Sequence, residues 1–373
     1  MNKTLFIAIS IAASLAVTAC GNATKTQTAS VSNAQPQQAQ ASQASQAPAS
    51  NPQALSNIEK TGGFIYTANQ GGISKVDVAS QKVIETIQVD GAVHNIQVSD
   101  NGQIIGATVV PASGGHSSHG GSHGSTNGFA HFYDAASGKL LQKVEVGKHP
   151  AHLVFTADDK YALVTNNEGN DVSLIEMSTY QVAATIPVGN GPHGFRISQD
   201  SKYAYIANMN EDSVSVIDLN EKKEWKKIKV GQTPVTTGVT SDGKLLTVTL
   251  NQENALALVD LTTDQVTKVP VGIGPAQVYI QPDNKFAFVA NQGTKEAPSH
   301  SVSKVDLQSK KVTATIETGK GAHGVTTSED GRFVYVTNMY ENTVSIVGNQ
   351  VDQVIATVPV GEEPNGITFL GTK

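Results

Sequence analysis

The chain has 373 residues, of which 39% are hydrophobic and 16% charged, enough apolar side chain for a folded core in one large domain or two. A formal charge of −6 argues against general affinity for nucleic acid, which needs a basic footprint. The single cysteine excludes intrachain disulfides, thiolate metal clusters and a Cys-x-x-Cys redox pair.

The chain begins like an export signal over residues 1–19. Lys3 supplies the positive end, Leu5 to Val17 the apolar run, and Val17-Thr18-Ala19-Cys20 the close. No other stretch is apolar enough to enter a membrane as a helix. The closing run resembles a bacterial lipobox, which implies cleavage before Cys20 and lipidation of its thiol. Gly21, rather than an aspartate, then favours the outer membrane, so the expected place is the bacterial cell envelope, lipid-anchored, periplasmic or surface-facing. Residues 20–57 are Ala, Ser, Gln, Asn, Thr and Pro, with almost no large apolar side chains. They read as a flexible tether that cannot bury enough surface to offset its ordering entropy.

From Phe64 onward the sequence repeats. Alternating runs close in asparagine at Tyr66-Thr67-Ala68-Asn69, Leu163-Val164-Thr165-Asn166, Tyr205-Ile206-Ala207-Asn208, Phe288-Val289-Ala290-Asn291 and Tyr335-Val336-Thr337-Asn338. Degenerate copies end at Val109 and Leu250. Glycine turns recur in step, as at Val188-Gly189-Asn190-Gly191-Pro192, with Val89-Asp90-Gly91 as a variant. The copies stand 40 to 57 residues apart, room for four short strands each, and β-branched residues alternate between the turns. The repeat predicts an all-β chain: a seven-bladed β-propeller of four-stranded antiparallel blades over residues 58–373. The chain enters at the second strand of a blade and ends on an orphan first strand, Pro364 to Leu370. That C-terminal strand is expected to join the N-terminal three and close the ring.

Tyr335-Val336-Thr337-Asn338 resembles the name motif of the YVTN-repeat propellers, a bacterial and archaeal family of seven-bladed proteins. The resemblance implies the fold over residues 58–373. It leaves function open, because such propellers include binding proteins, surface-layer components, dehydrogenase subunits and lactonase-like enzymes.

No His-Glu-x-x-His, Gly-x-Ser-x-Gly or Walker loop is present, and no Ser/His/Asp set stands out. The ten histidines carry the signal instead. Up-and-down topology assigns all of them to one face of the ring, in or after turns and loops of that face. His116, His119 and His123 lie in a Gly/Ser-rich insertion that suits a metal-capturing arm. His94, His193 and His323 occupy one equivalent position opening their inner strands, at the mouth of the channel. His152, also a candidate ligand, is one position later and is expected to face differently. Glu168, Glu211 and Glu341, in loops of the same face, could add oxygen ligands, and Met209 and Met339 could add thioethers that favour Cu(I). The basic run around Trp225 reads as a lysine-guarded outer strand rather than a nucleic-acid groove.

These residues predict a non-enzymatic envelope lipoprotein that captures or delivers a transition-metal ion, zinc before copper, with the membrane anchor at Cys20 and an envelope protein as a further partner. Two alternatives compete: a lactonase-like, metal-dependent hydrolase, and a metal-independent scaffold for protein or glycan.

Overall fold

In the computed structural model the chain divides into two units, Met1–Pro48 and Ala49–Lys373. Residues 62–111 and 126–372 are described, all in the second unit. The expected leader, Cys20, the tether and His116, His119 and His123 lie outside the described residues. No described helix is long and apolar enough to cross a membrane.

The described residues form strands almost throughout. β1 (Gly63–Asp77), β2 (Lys82–Val98), β3 (Ile104–Val110), β4 (Asn127–Asp134) and β5 (Leu140–Lys148) come first. Then follow β6 (Pro150–Phe155), β7 (Tyr161–Asn166), β8 (Asp171–Glu176) and β9 (Gln181–Pro187), and β10 (Pro192–Ile197), β11 (Tyr203–Asn208), β12 (Ser213–Asp218) and β13 (Lys223–Lys229). The next sets are β14 (Pro234–Val239), β15 (Leu245–Leu250), β16 (Ala255–Asp260) and β17 (Gln265–Pro270), and β18 (Pro275–Ile280), β19 (Phe286–Gly293), β20 (Pro298–Asp306) and β21 (Lys311–Glu317). The last are β22 (Ala322–Thr327), β23 (Phe333–Asn338), β24 (Thr343–Gly348), β25 (Gln353–Pro359) and β26 (Ile367–Gly371).

The sheet count corrects the expectation from the repeat. The described residues form six sheets, not seven separate four-stranded blades. Five are four-stranded antiparallel units, and one is six-stranded in the order β26-β1-β2-β3-β4-β5. The C-terminal strand therefore does not complete a four-stranded blade of its own. β26 is the edge of the six-stranded sheet, paired antiparallel with β1 from Gly63↔Gly371 to Thr67↔Ile367.

The cause is local chemistry. At Pro150, Pro192, Pro234 and Pro275 a proline opens the inner strand, and its missing N–H and fixed φ separate that strand from the one before. The first region has Val93 in that place, and β22, which opens with Ala322, follows a glycine turn at Gly321 with φ +72°. Gly91 turns the backbone at φ +134°, which glycine tolerates, and β2 runs through unbroken for 17 residues.

The inner strands contact one another in a closed cycle, β2, β6, β10, β14, β18, β22, β26 and back to β2. Apolar clusters fill the space between successive sheets. Val154, Leu163 and Leu174 meet Phe195, Ile206 and Ile217, while Ile65, Val76 and Ile367 meet Tyr335, Ile346 and Val358 where the chain ends join. Burying each such side chain contributes about 1.5–3 kcal/mol.

The repeated asparagines tie the second and third strands of their own sheet and pack under the turn from the sheet before. Asn166, Asn208 and Asn338 are fully buried, and each amide donates to two side-chain oxygens on the adjacent strand, as Asn208 Nδ2 does to Ser213 and Ser215 Oγ at 3.0 and 2.9 Å. A Cβ on Gly147, Gly189, Gly319 or Gly361 would come within 2.8 Å of the amide carbon of Asn166, Asn208, Asn338 or Asn69. Only glycine lets the turn from one sheet rest on the asparagine of the next.

Candidate metal centre

Four of the inner strands, β2, β6, β14 and β22, share one hydrogen-bonding device, built on Thr108, Thr165, Thr249 and Thr337. A threonine hydroxyl at the end of the second strand accepts the backbone N–H of its own inner strand and donates to a carbonyl of the next inner strand. Thr165 Oγ1 accepts from His152 N at 3.0 Å and donates to His193 O at 2.7 Å. Thr108 Oγ1 accepts from Asn95 N at 3.0 Å and donates to Ala151 O at 2.7 Å. Together they set the spacing of β2, β6 and β10, the three strands that carry His94, His152 and His193.

Ring orientation is set by a second device. His94 Nδ1 lies 3.0 Å from Ala151 O, His193 Nδ1 3.1 Å from Val235 O, and His323 Nδ1 3.0 Å from Asn365 O. A carbonyl can only accept, so each Nδ1 carries the proton and each Nε2 is the basic nitrogen. An imidazole held by an Nδ1–H bond to a backbone carbonyl is oriented and made more basic, as metal-ligating histidines are.

His94, His152 and His193 come together. One ring nitrogen from each lies within 4.8 Å of those of the other two. The ring centroids of His152 and His193 are 4.9 Å apart, those of His94 and His193 5.3 Å, and those of His94 and His152 5.9 Å. His193 is buried, His94 half-buried and His152 only 1% exposed. Both ring nitrogens of His152 are buried without a hydrogen-bond partner. Burial first, and then the fields of His193, His94, Arg196 and His323, hold its pKa well below the ordinary imidazole range. At neutral pH His152 is therefore an uncharged ring presenting a lone pair, the state a metal ligand requires.

The other candidates are placed differently. His323 shares the register of His94 and His193 but sits on β22 and is not one of the three. His149 stands beside the cluster, its ring 6.3 Å from that of His94 and its Nδ1 3.4 Å from Glu168 Oε1. Glu211 is paired with Lys227 at 3.2 Å and receives Asn190 N–H, and Glu341 lies 3.8 Å from Lys320. None of the three glutamates belongs to the histidine cluster. The sulfur of Met339 accepts from Gln292 Nε2 at 3.3 Å. His131 and His300 lie on the third strands β4 and β20 rather than on inner strands, and His131 is buried against the Tyr133 hydroxyl at 3.1 Å.

Sequence reading alone missed Thr108 and Thr165. Their signal was in view, because threonine recurs one residue before the strand-ending position at Thr165, Thr249 and Thr337. Arg196 and Gln277, on β10 and β18, carried no such signal.

The arrangement can hold one metal ion on three imidazoles, at the top of a ring of inner strands. Solved structures of several proteins share the fold. A chain of hydrazine synthase from Kuenenia stuttgartiensis is 19% identical with a TM-score of 0.65, covering 76% of this chain and 96% of its own. A protein of unknown function from Desulfotomaculum acetoxidans is 13% identical with a TM-score of 0.67, covering 83% and 99%. A 6-phosphogluconolactonase candidate from Bacteroides fragilis is 14% identical with a TM-score of 0.65, covering 83% and 98%. No curated protein matches the sequence. The model of one family matches residues 130–370, well over half of the chain, and by that match the protein belongs to the YNCE-like beta-propeller family.

Proposed function

We propose that this propeller binds a transition-metal dication, zinc before copper, on His94, His152 and His193. The observation that carries the reading is His152: a ring buried to 1% exposure, with neither nitrogen hydrogen-bonded and a ring nitrogen within 4.8 Å of two other imidazoles. Burying an imidazole without partners costs free energy, and a coordinate bond offsets that cost. The donor set is all nitrogen, which suits Zn(II), while the sulfur of Met339 is engaged with Gln292. Nitrogens around a four-coordinate zinc stand about 3.3 Å apart, given Zn–N bonds of about 2.0–2.1 Å, so the rings close inward on binding.

Three ligands leave the fourth position open. That fits an ion that is taken up and passed on, in contrast to a closed structural centre with four protein ligands. We place this activity in the bacterial cell envelope, on the strength of the leader and Cys20, with His116, His119 and His123 as a separate capturing arm.

Titration calorimetry of the purified chain with Zn(II) tests the reading. Replacing His116, His119 and His123 by serine leaves the tightest class of site in place. Replacing His94, His152 and His193 by alanine removes it. An unchanged tight site in the second variant would overturn the proposal.

A further inference from the structure

One of the strands that carry the histidine cluster also carries an arginine that the metal reading does not use. Arg196 sits three residues after His193 on β10. Its guanidinium extends past Gly238, the residue in the same register on β14, to lie over the Tyr279 ring of β18 at 5.9 Å from the centroid, and its Nη1 donates to Phe195 O at 2.9 Å. Among the described residues no carboxylate lies within ion-pairing distance of it. Glu168 is engaged with His149, beside the cluster. Arg196 is half-buried, as is Tyr279, and its field reaches His152.

A second donor lies on the strand of Tyr279. Gln277, two residues before Tyr279 on β18, holds the register that His152 holds on β6. It is 3% exposed, and its Nε2 is buried with no hydrogen-bond partner. A buried amide donor without an acceptor marks a place where an oxygen ligand belongs.

Charge balance joins these observations. A dication on three neutral imidazoles, together with a permanently charged guanidinium, concentrates positive charge in a narrow channel without a paired carboxylate. Such charge is costly to enclose unless an anion accompanies it. Resting on the metal reading above, we infer that the loaded channel is a receptor for a small oxyanion, a carboxylate or a phosphate. One oxygen takes the open metal position and the others accept from Arg196 and Gln277. Guanidinium suits this role because its planar fork matches both oxyanions. The ion is thus held as an anion complex.

Cobalt(II) in place of zinc makes the site visible by absorption. Phosphate and acetate are titrated separately into the Co(II)-loaded chain in an otherwise non-coordinating buffer. The expected result is a saturable spectral change with at least one of them. Arg196→Met weakens anion binding by about tenfold or more, and Arg196→Lys by less, since it keeps the charge and loses the fork. Co(II) affinity measured without anion changes less than about threefold in both, because neither removes a ligand. Gln277→Leu, which keeps the volume, weakens the anion independently and guards against a misfolded arginine variant. Co(II) that binds but whose spectrum ignores both anions would overturn this inference alone, as would wild-type anion affinity in Arg196→Met and Gln277→Leu. Failure to bind Co(II) at all would overturn both this inference and the metal site beneath it. The anion that saturates at lower concentration identifies the natural class.

Discussion

Two arcs of the same ring differ in what they do with one position. On β2, β6 and β10 the opening residues of the inner strands bring His94, His152 and His193 into one cluster. On β14 and β18 the corresponding residues are Val235, Thr236, Ala276 and Gln277, and the threonine hydroxyl of Thr236 donates to Ala276 O at 3.1 Å. The backbone device is the same in both arcs: Thr249 accepts from Thr236 N and donates to Ala276 O as Thr165 does for His152 and His193. The two arcs share this scaffolding, and chemistry appears where side chains depart from the repeat. His323 shows that departure alone is insufficient. It has the register and the carbonyl bond of His94, but β26 separates its strand from β2 in the cycle and β14 and β18 separate it from β10.

Removing the central member breaks the contrast most severely. His152→Ala is expected to lower Zn(II) affinity by on the order of a hundredfold or more, read by competition with a chromogenic chelator. An affinity within a few-fold of wild type would remove the ion from this arc. Thr165→Val cuts the clamp between β6 and β10 without touching a ligand. It should weaken zinc by about tenfold and stability by about 1 kcal/mol, with Thr165→Ser restoring both. Loss of stability without loss of affinity would assign Thr165 to the scaffold only.

His131 sharpens the comparison from outside the channel, as a buried imidazole that does have a partner. Burial, with Lys143 as the smaller cause, pushes it down to about 4. Its folded value is below its unfolded one, so the unfolded chain takes the proton first. The stability is complete above pH 6.5 and falls as the pH drops from 6.5 toward 4. Replacing His131 by Leu should recover about 1–2 kcal/mol of the acid loss between pH 7 and 4.5, read from urea midpoints at both values. An identical acid loss in the variant would place the titrating group elsewhere. The smallest effect belongs to His323→Ala, which should leave zinc affinity within about twofold, because its ring is outside the three. A large loss there would extend the site across the ring.

Much of the fold was legible because its signals are local. Asn208 and Gly189 each act within a turn or across one sheet boundary, and their recurrence marks most of the copies. The sheet count was not legible, because it turned on how far β2 could run before bending at Gly91, where Val93 stands in the proline position. At the site, the shared register of His94 and His193 could be read from the chain. His152, one position out of step, was named among the candidate ligands but expected to face differently from His94 and His193. The register shift between Pro150 and Leu153 and the close approach of β10 place its ring against both neighbours.

By itself the sequence determined an all-β repeat, the residues that turn it, and which positions on the inner strands carry imidazoles. Only the tertiary structure decided which imidazoles meet, because His94, His152 and His193 belong to three different sheets. Their distances are set by how closely β2, β6 and β10 pack around the ring, not by anything along the chain between them. The same holds for Arg196 and Tyr279. Turn chemistry acts over a few residues, whereas a site built across strands exists only after the ring has closed.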